Sequence, residues 1–572
     1  MILESFETLC SSLARLYPWQ VTSDADIDRA MGFLNGNVGS REVARAANAA
    51  AILGCLVGVI SGALAEPALR FVVGGLSVAL AVGVSASLRR VPELLAAAKR
   101  TQALGDAPDL VARAVLWMRI EPTAEGAAAF ASRTGDGSLA SSLGDHVRRA
   151  AGSPTSGLTS FAAEWESWNP ALHRSMVLIA AASEAPAGER KRTLDRALTA
   201  ILDGTRERMA EFVTEIRGPA TALYAFGVLL PLALVAVLPA AKTAGVPMSP
   251  AVLVVGYDVL LPALLLGASV WLLTRRPVTF PPPDVSRSHP DVPDERWPVV
   301  ALGLGAAGVA LIVTTLLLPN WTRWIACGGC LVGALSVGST RSTVRIRNHV
   351  RAVESGVTDA LYLVGRRVNE GQAVEAAIIV AGDELSGETG AVFDRATRIQ
   401  RQLGMGVKES FLGEYGALST VPSPRARSAT ALLALAASEG RPAGGAVVAM
   451  ADHIDDLQRV EREARRELSQ VTETLRHTAA IFGPLVSGAT VALAGEMASV
   501  GGSFGGGGAF PVGVLGLAVG VYVLFLSTII TTLAVGLEHG LDRTLVGYRV
   551  GQSLLSATVV YLLAFVLAGA LT

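Results

Sequence analysis

Nine apolar stretches, each long enough to cross a lipid bilayer as a helix, are distributed along the 572-residue chain. Apolar residues make up 51% of the sequence and charged residues only 17%, and the charges are concentrated between the apolar stretches. Because about 20 consecutive apolar residues span the hydrocarbon core of a bilayer, the pattern predicts an all-α polytopic membrane protein. The predicted spans are residues 48–66, 69–88, 220–241, 251–274, 297–318, 322–340, 478–498, 511–536 and 553–571.

The basic residues are distributed unequally between the two sides that nine alternating helices would create. Lys242 and Arg323 are the only ones in the loops of one side. By the positive-inside rule the richer side is cytosolic, so we expect a cytoplasmic-membrane protein with its amino terminus inside and its carboxyl terminus outside. The basic residues that define the richer side are Arg89, Arg90, Lys99, Arg100, Arg275, Arg276, Arg341, Arg345, Arg347, Arg543 and Arg549.

Two long charged segments resemble each other at a nearly constant offset. Asp109 and Asp359 are 250 positions apart, and so are Glu125 and Glu375. The motif that begins at Ser160-Phe161 returns at the same distance as Ser410-Phe411, and the later matches drift by a few positions, as small loop insertions produce. The sequence therefore predicts a duplicated unit of membrane helices and a cytosolic domain.

This duplication gives a predicted organisation of eight regions. Residues 89–219 are called the first charged segment and residues 341–477 the second charged segment, and each is predicted to be a cytosolic helical bundle. The regions are a cytosolic cap (1–47), a membrane hairpin (48–88), the first charged segment (89–219), a hairpin (220–274), a cytosolic linker (275–296), a hairpin (297–340), the second charged segment (341–477) and three membrane helices (478–572).

The last helix of each charged segment carries an apolar stripe at helical spacing and dense charge on its other faces. We expect each helix to continue without a break into its membrane span. Two roles are open for the stripes, the closing of each bundle's own core or an intermolecular coiled coil. The stripe residues are Leu194, Leu198, Ile201, Met209, Phe212 and Ile216, and Leu457, Val460, Ala464, Leu468, Val471 and Leu475.

Motifs for catalysis are missing from the sequence. It has no phosphate-binding loop of the Walker type, no HExxH, no GxSxG and no cluster of Cys and His with metal-ligand spacing. Cys327 and Cys330 form a CxxC inside an apolar stretch, where small helix-packing residues are expected. The formal net charge of −1 argues against a nucleic-acid partner. We therefore expect no enzyme activity and no catalytic, cofactor or metal residues.

Two acidic residues lie inside predicted spans. Asp258 falls about a third of the way into the fourth span, and Glu496 lies near the outer end of the seventh. Ionisable groups in a bilayer are costly and are often functional. Each carboxylate either bonds a neighbouring helix or headgroup water, or contacts a polar group that is transported or extracted.

Short motifs in the second charged segment carry a family resemblance. They are Glu370-Gly371-Gln372-Ala373-Val374-Glu375-Ala376, Gly406 to Phe411, and Ser438-Glu439-Gly440. Both segments also lead into apolar helices with Phe-Gly close to Pro, at Phe226-Gly227 and Phe482-Gly483. With its duplicated layout, the chain resembles the type II secretion system F family, and its nine spans resemble the archaeal branch.

The resemblance implies a platform protein beneath a growing type IV pilus-like filament, without enzyme activity of its own. It implies a hexameric secretion ATPase and pilin-like subunits as partners in the lipid bilayer, with homo-oligomers as a further possibility. The residues it suggests for the ATPase contact are Glu370, Gly371, Glu375, Glu439 and Gly440. The alternative is that both glycines only end helices. The first charged segment departs from the pattern, because its Glu184 precedes Ala185 in place of Gly.

Two other function classes are compatible with a multi-span chain. A transporter built from repeats would hold most of its residues in the membrane, whereas about half of this chain is predicted to be cytosolic. A membrane signalling scaffold with helical cytosolic modules also fits the composition. The partner that copurifies with the protein distinguishes these classes from the platform.

Overall fold

Helices account for all regular structure in the part of the chain that the computed structural model describes, and no strand occurs there. The predicted all-α class is confirmed. By its contacts the chain divides into two compact units, Met1–Ala103 and Leu104–Thr572. The described residues are 2–34, 36–64, 70–135, 137–152, 156–231, 233–235, 237, 253–276, 297–439, 443–503 and 512–571.

The first unit packs four helices around a small apolar core. Phe6, Cys10, Met31 and Val43 are buried together in that core. Helix α3 begins at Ser40, eight positions before the predicted start of the first span at residue 48, and the fourth helix continues past residue 88. The helices are α1 (Ile2–Ala14), α2 (Ala25–Leu34), α3 (Ser40–Leu64) and α4 (Arg70–Gly105), the last of which ends just beyond this unit.

The first charged segment folds into short helices followed by one long helix. The Ser156 hydroxyl accepts a hydrogen bond from the Leu158 amide, and the Asn169 side chain accepts one from the Leu172 amide, so each caps a helix start. Pro170 occupies the first helical position after Asn169, where its missing N–H is harmless. The helices are α5 (Ala107–Ile120), α6 (Ala124–Thr134), α7 (Gly137–Ala150), α8 (Gly157–Trp165), α9 (Pro170–Glu184) and α10 (Ala187–Tyr224).

Apolar helices and two π-helical turns follow the first charged segment. The turns are named π1 and π2. Of the predicted linker 275–296, residues 277–296 lie outside the described residues. The elements are π1 (Ala225–Leu229), π2 (Val255–Leu260), α11 (Leu261–Arg275) and α12 (Trp297–Leu317).

The second charged segment begins within one helix of 48 residues that also contains the sixth predicted span. Its core buries Leu361, Phe393, Phe411 and Leu433. The elements up to the membrane are α13 (Thr322–Asn369), α14 (Val374–Glu384), α15 (Gly387–Leu403), α16 (Val407–Leu412), α17 (Pro424–Glu439), α18 (Ala443–His477) and a third π-helical turn, π3 (Thr478–Phe482).

Three apolar helices complete the chain, and the second of them is the most enclosed. They are α19 (Gly483–Ser503), α20 (Val512–His539) and α21 (Arg543–Leu571). An ion pair between Arg347 and Asp542 ties α13 to the turn before α21, and the Arg347 guanidinium also donates to the Thr544 hydroxyl. Residues 504–511, between α19 and α20, lie outside the described residues.

Seven described helices are long and apolar enough to cross a membrane, which supports the predicted multi-pass class. They overlap seven of the nine predicted spans. The other two, 69–88 and 322–340, fall in α4 and α13, which are not among the seven. Charged residues flank the apolar part of α13 closely, at Arg323 and Arg341. Nine spans therefore remain a prediction.

The two apolar stripes meet inside this one chain. Phe212 and Ile216 of α10 are buried in the same apolar cluster as Leu468 and Leu475 of α18, and α10 packs against α18. The amino-terminal parts of the stripes are buried as well, with Leu194 1% and Val460 1% exposed. The stripes thus complete the protein's own core.

Candidate functional site

The long charged helices enter the apolar region through π-helical turns. Helix α10 runs directly into π1 and α18 directly into π3, so each helix continues from its charged segment into an apolar helix. The turns begin at Ala225 and Thr478. A π turn inserts an extra residue into an α-helix, weakens the helical hydrogen-bond ladder locally, and is frequent at functional sites.

Side chains from other apolar helices bind backbone carbonyls at these turns. The Tyr522 hydroxyl of α20 donates to the Gly227 carbonyl in π1. The Ser556 hydroxyl of α21 donates to the Ala480 carbonyl in π3 at 3.1 Å. Tyr257, in π2, donates to the carbonyl of Pro231 at 2.7 Å. These bonds satisfy carbonyls in an apolar environment and attach both long helices to the neighbouring bundle.

A cleft of about 580 Å³ separates α5 and α6 of the first charged segment from α14, α16, α17 and α18 of the second. Its apolar floor includes Leu116, Phe130, Leu432 and Met450, which belong to one apolar cluster contributed by both segments. Helix α17 packs less extensively against α18 than the corresponding α9 packs against α10, and the cleft lies beside α17 and α18.

Two arginines in the cleft wall are held by partners. Arg113 donates to the Thr134 carbonyl and to the Ser428 hydroxyl, a bond that joins the two charged segments. Arg425 pairs with Glu461 at 2.9 Å and lies 3.9 Å from Glu354. Burial lowers the pKa of Arg425, but the carboxylates of Glu461, Glu354 and Asp109 outweigh burial and the net shift is upward. Arg425 therefore stays charged.

The remaining charged groups of the cleft are exposed, and in the described part of the chain they form no ion pair within 4 Å. These are Asp109, Glu375, Lys408 and Glu409. His453 differs from them, because it is 3% exposed and, among the described residues, neither ring nitrogen makes a hydrogen bond of good geometry. Burial lowers the pKa of His453, while the nearby Asp109 and Asp456 carboxylates and the Pro108 carbonyl oppose that shift.

The cleft is suited to binding. An apolar floor rimmed by a few charges is the usual composition of a ligand pocket, and its volume lies in the usual range. The hydroxyls of Thr134 and Ser428 are both engaged, one as a donor to the Phe130 carbonyl and one as an acceptor from Arg113.

The structure distributes the predicted contact residues over two places. Glu375, in the first turn of α14, lines the cleft. Glu370 caps the end of α13 and pairs with Arg366 at 3.1 Å, outside the cleft. Gly371 follows that cap and has φ of +98°, a backbone angle that favours glycine and that terminates the helix. The side chain of Glu439 and all of Gly440 lie outside the described residues.

The two predicted intramembrane acids differ in environment. Asp258 lies in π2, and one of its carboxylate oxygens is buried without a hydrogen-bond partner among the described residues. Glu496 is exposed near the end of α19.

Sequence reasoning missed Arg113, Arg425 and His453. Their place in the cleft depends on helices that are more than 300 positions apart in the chain, as in the bond between Arg113 and Ser428. Asp109 and Glu375 were visible as repeat matches, but nothing in their spacing indicated that they share a cleft.

The chain matches no protein-family model, no curated protein and no solved structure.

Proposed function

We propose that the chain is a membrane platform protein of the type II secretion system F family, which couples a cytosolic secretion ATPase to the extraction and assembly of pilin-like subunits. The observation that carries the proposal is the pair of long helices α10 and α18. Each leaves a charged helical segment, passes through a π turn and continues into an apolar helix. Force applied to either charged segment would reach the bilayer through a continuous helix.

Matching helix starts support the duplicated organisation. Helices α6 and α14 start at residues 124 and 374, α7 and α15 at 137 and 387, and α8 and α16 at 157 and 407, so the members of each pair are 250 positions apart. Gly137 and Gly387 begin equivalent helices with φ of +89° and +75°. L-residues rarely adopt such angles, so two glycines at matched positions favour a common origin.

The proposed topology has nine spans in the cytoplasmic membrane, with the amino terminus and both charged segments inside and the carboxyl terminus outside. The unequal distribution of arginine and lysine supports it. Under this topology α4 and α13 each combine a membrane-spanning part with a cytosolic part.

The ATPase is proposed to dock on the charged segments, chiefly the second, at Glu370, Gly371 and Glu375 and around Glu439 and Gly440. A charged residue beside a flexible backbone position gives a salt-dependent contact that a motor can make and release. Pilin-like subunits are proposed to pass the apolar helices, in which Asp258 and Glu496 are the two predicted intramembrane acids. The platform itself is proposed to hydrolyse no nucleotide, and it acts alone or as a homo-oligomer.

Charge reversal at Glu370 tests the motor contact. We expect Glu370→Lys to abolish copurification of the ATPase and filament assembly at an unchanged membrane level of the protein, because reversal turns attraction into repulsion. Glu184→Lys in the first charged segment is the matched control and should have a milder effect. Greater damage from Glu184→Lys at equal protein levels would move the contact to the first segment.

The same purification separates the other function classes. Copurification of a secretion ATPase supports the platform. Substrate uptake by the protein in liposomes without any ATPase would instead make it a transporter, and recovery of a signalling partner would make it a scaffold.

A further inference from the structure

We propose that the cleft between the charged segments is the docking groove for a short amphipathic helix of a partner protein, one whose apolar side chains are flanked by Lys or Arg. The proposal rests on the proposed function only for the cytosolic location of the groove. It assigns the partner by chemistry. The groove shares Glu375 with the proposed ATPase contact, but Glu370 lies outside it.

The shape of the cleft fits apolar side chains delivered by a helix. A volume of about 580 Å³ holds two or three large side chains and not a whole helix. The floor residues Leu116, Leu432 and Met450 lie on helices α5, α17 and α18, so an incoming helix would lie in a trough between helices. Helix-in-groove recognition works this way, with anchors at helical spacing entering an apolar trough.

The rim of the cleft selects the charge of the occupant. Of its three basic side chains, Arg425 is paired with Glu461 and Glu354, and Arg113 donates hydrogen bonds to two neutral groups, the Thr134 carbonyl and the Ser428 hydroxyl. Among the described residues, neither Arg113 nor Lys408 forms an ion pair within 4 Å. The carboxylates of Asp109, Glu375 and Glu409 form no ion pair within 4 Å in the described part of the chain. These three carboxylates outnumber the two basic groups that form no ion pair, so the remaining charge at the mouth is net negative and complements Lys or Arg on the occupant.

His453 supplies an independent observation. It lines the cleft and is 3% exposed, and the Pro108 carbonyl is the backbone acceptor beside its ring. Among the described residues, neither ring nitrogen makes a hydrogen bond of good geometry. Buried polar groups without partners are rare, because leaving them unpaired is costly. A neutral imidazole has one donor and one acceptor nitrogen. A polar group on the occupant, next to its apolar anchors, would form a hydrogen bond with the imidazole.

The groove is a special feature of the second charged segment. In the first segment the equivalent helices are in close contact, and a Cβ added at Gly204 of α10 would lie 2.3 Å from the Cβ of Ala171 in α9. The Ser175 hydroxyl donates to the Ala197 carbonyl at 2.9 Å across the same contact. The open hairpin of α17 and α18 is thus a departure from the arrangement in the other half of the molecule.

The test uses the full-length protein in phosphatidylcholine nanodiscs and a synthetic Leu/Lys amphipathic helix that carries a photo-reactive group. We expect saturable binding above that to empty nanodiscs, with adducts on α5, α17 and α18. A Leu/Glu helix of the same pattern should bind at least about tenfold more weakly, and raised salt should weaken the Leu/Lys helix.

Variants at the rim and in the wall of the cleft complete the test. Asp109→Lys and Glu375→Lys should each weaken binding of the Leu/Lys helix about tenfold. Glu414→Lys, at an exposed carboxylate of the same segment outside the cleft, should leave binding unchanged. Ala431→Trp, at an exposed position in the cleft wall, should block binding without disturbing the core. Unchanged binding in these rim and wall variants, or adducts on the apolar helices alone, would overturn the proposal.

The outcome is separable from that for the platform function. Peptide binding in the cleft without copurification of a secretion ATPase would leave the groove in place and reject the platform. Copurification of the ATPase without peptide binding would do the reverse.

Discussion

The two charged segments have the same order of helices but close their last hairpin differently. In the first, α9 packs along α10, with Ala171 against Gly204. In the second, α17 diverges from α18, and Arg425 occupies the position that corresponds to Ala171, since Pro170 and Pro424 begin the two helices. A guanidinium needs more room than a methyl group and needs carboxylate partners, here Glu461 and Glu354. A single change from a small apolar to a large charged residue thus accompanies a closed hairpin in one segment and an open cleft in the other.

A second difference lies at the end of the short helix that precedes this hairpin. Trp165 is 5% exposed at the end of α8, whereas Tyr415, 250 positions later, is 75% exposed. Helix α8 ends at Trp165, but α16 ends at Leu412, so Tyr415 falls in the following turn. The matched residues Phe161 and Phe411 are both fully buried. The two segments therefore share their inner core and differ at their surfaces.

The largest effects are expected at this shared core. Phe161→Ala and Phe411→Ala should each destabilise its own segment by about 3–5 kcal/mol, because each leaves a cavity where an aromatic ring is fully buried. Hydrogen exchange of the protein in nanodiscs should show lost protection only in the segment that carries the change. Loss of protection in both segments from either variant would mean that they unfold as one body.

Arg425→Ala tests whether the charged network holds the open hairpin in place. We expect a loss of roughly 2–3 kcal/mol, because Glu461 is 8% exposed and would lose its 2.9 Å partner. Arg465 still pairs with Glu461 and limits the loss. The control is Arg427→Ala, at an exposed position of the same helix, with an effect within about 0.5 kcal/mol. Equal stability of the two variants would show that the network does not hold α17.

Glycine substitutions compare the two hairpins directly. Gly204→Ala should destabilise the first segment by about 1–3 kcal/mol, because the added Cβ would press on Ala171 in a closed contact. Gly445→Ala, in the first turn of α18, meets nothing within 4 Å and should be neutral or stabilise by up to about 1 kcal/mol. The protease sensitivity of each segment in native membranes would measure the stability change caused by each substitution. A stabilising Gly204→Ala would mean that the first hairpin is also open.

The smallest effect concerns the pH dependence of the second segment. Because burial lowers the pKa of His453 in the folded protein, the unfolded chain takes up the proton more readily below its ordinary pKa of about 6.5. Stability should therefore fall as the pH falls from about 7.5 to about 5.5, through the ordinary pKa of histidine. Hydrogen exchange of the wild type at the two pH values should show the lower stability at low pH. The His453→Leu variant should show a smaller difference between the two pH values. A pH dependence that persists in the variant would assign it to other groups.

Much of the fold could be predicted from the sequence because hydrophobic period and turn chemistry are local. The apolar stretches indicated membrane helices, and the stripes on α10 and α18 indicated buried faces. The sequence did not reveal that the stripes of Phe212 and Leu468 share one cluster, because a stripe shows which face is buried and not what buries it. The π turns were also missed, since a one-residue insertion in a helical ladder leaves no pattern in the sequence.

The candidate sites divide in the same way. Glu375 and Asp109 were identified as repeat matches, and Gly371 as a glycine beside a carboxylate, because repeats and glycines can be recognised in a sequence. The sequence does not predict that Asp109, Glu375 and His453 line one cleft, because this depends on how α5 packs near α17 and α18.

The sequence by itself determined the helical class, the membrane-spanning character and the internal match at 250 positions, because each is fixed by composition and spacing along the chain. Only the tertiary structure decided that the second hairpin is open, that Arg425 is held by Glu461 and Glu354, and that Tyr522 and Ser556 bind the carbonyls of the π turns. Those contacts join residues far apart in sequence, and their energies depend on burial and distance, which come into existence only when the helices pack.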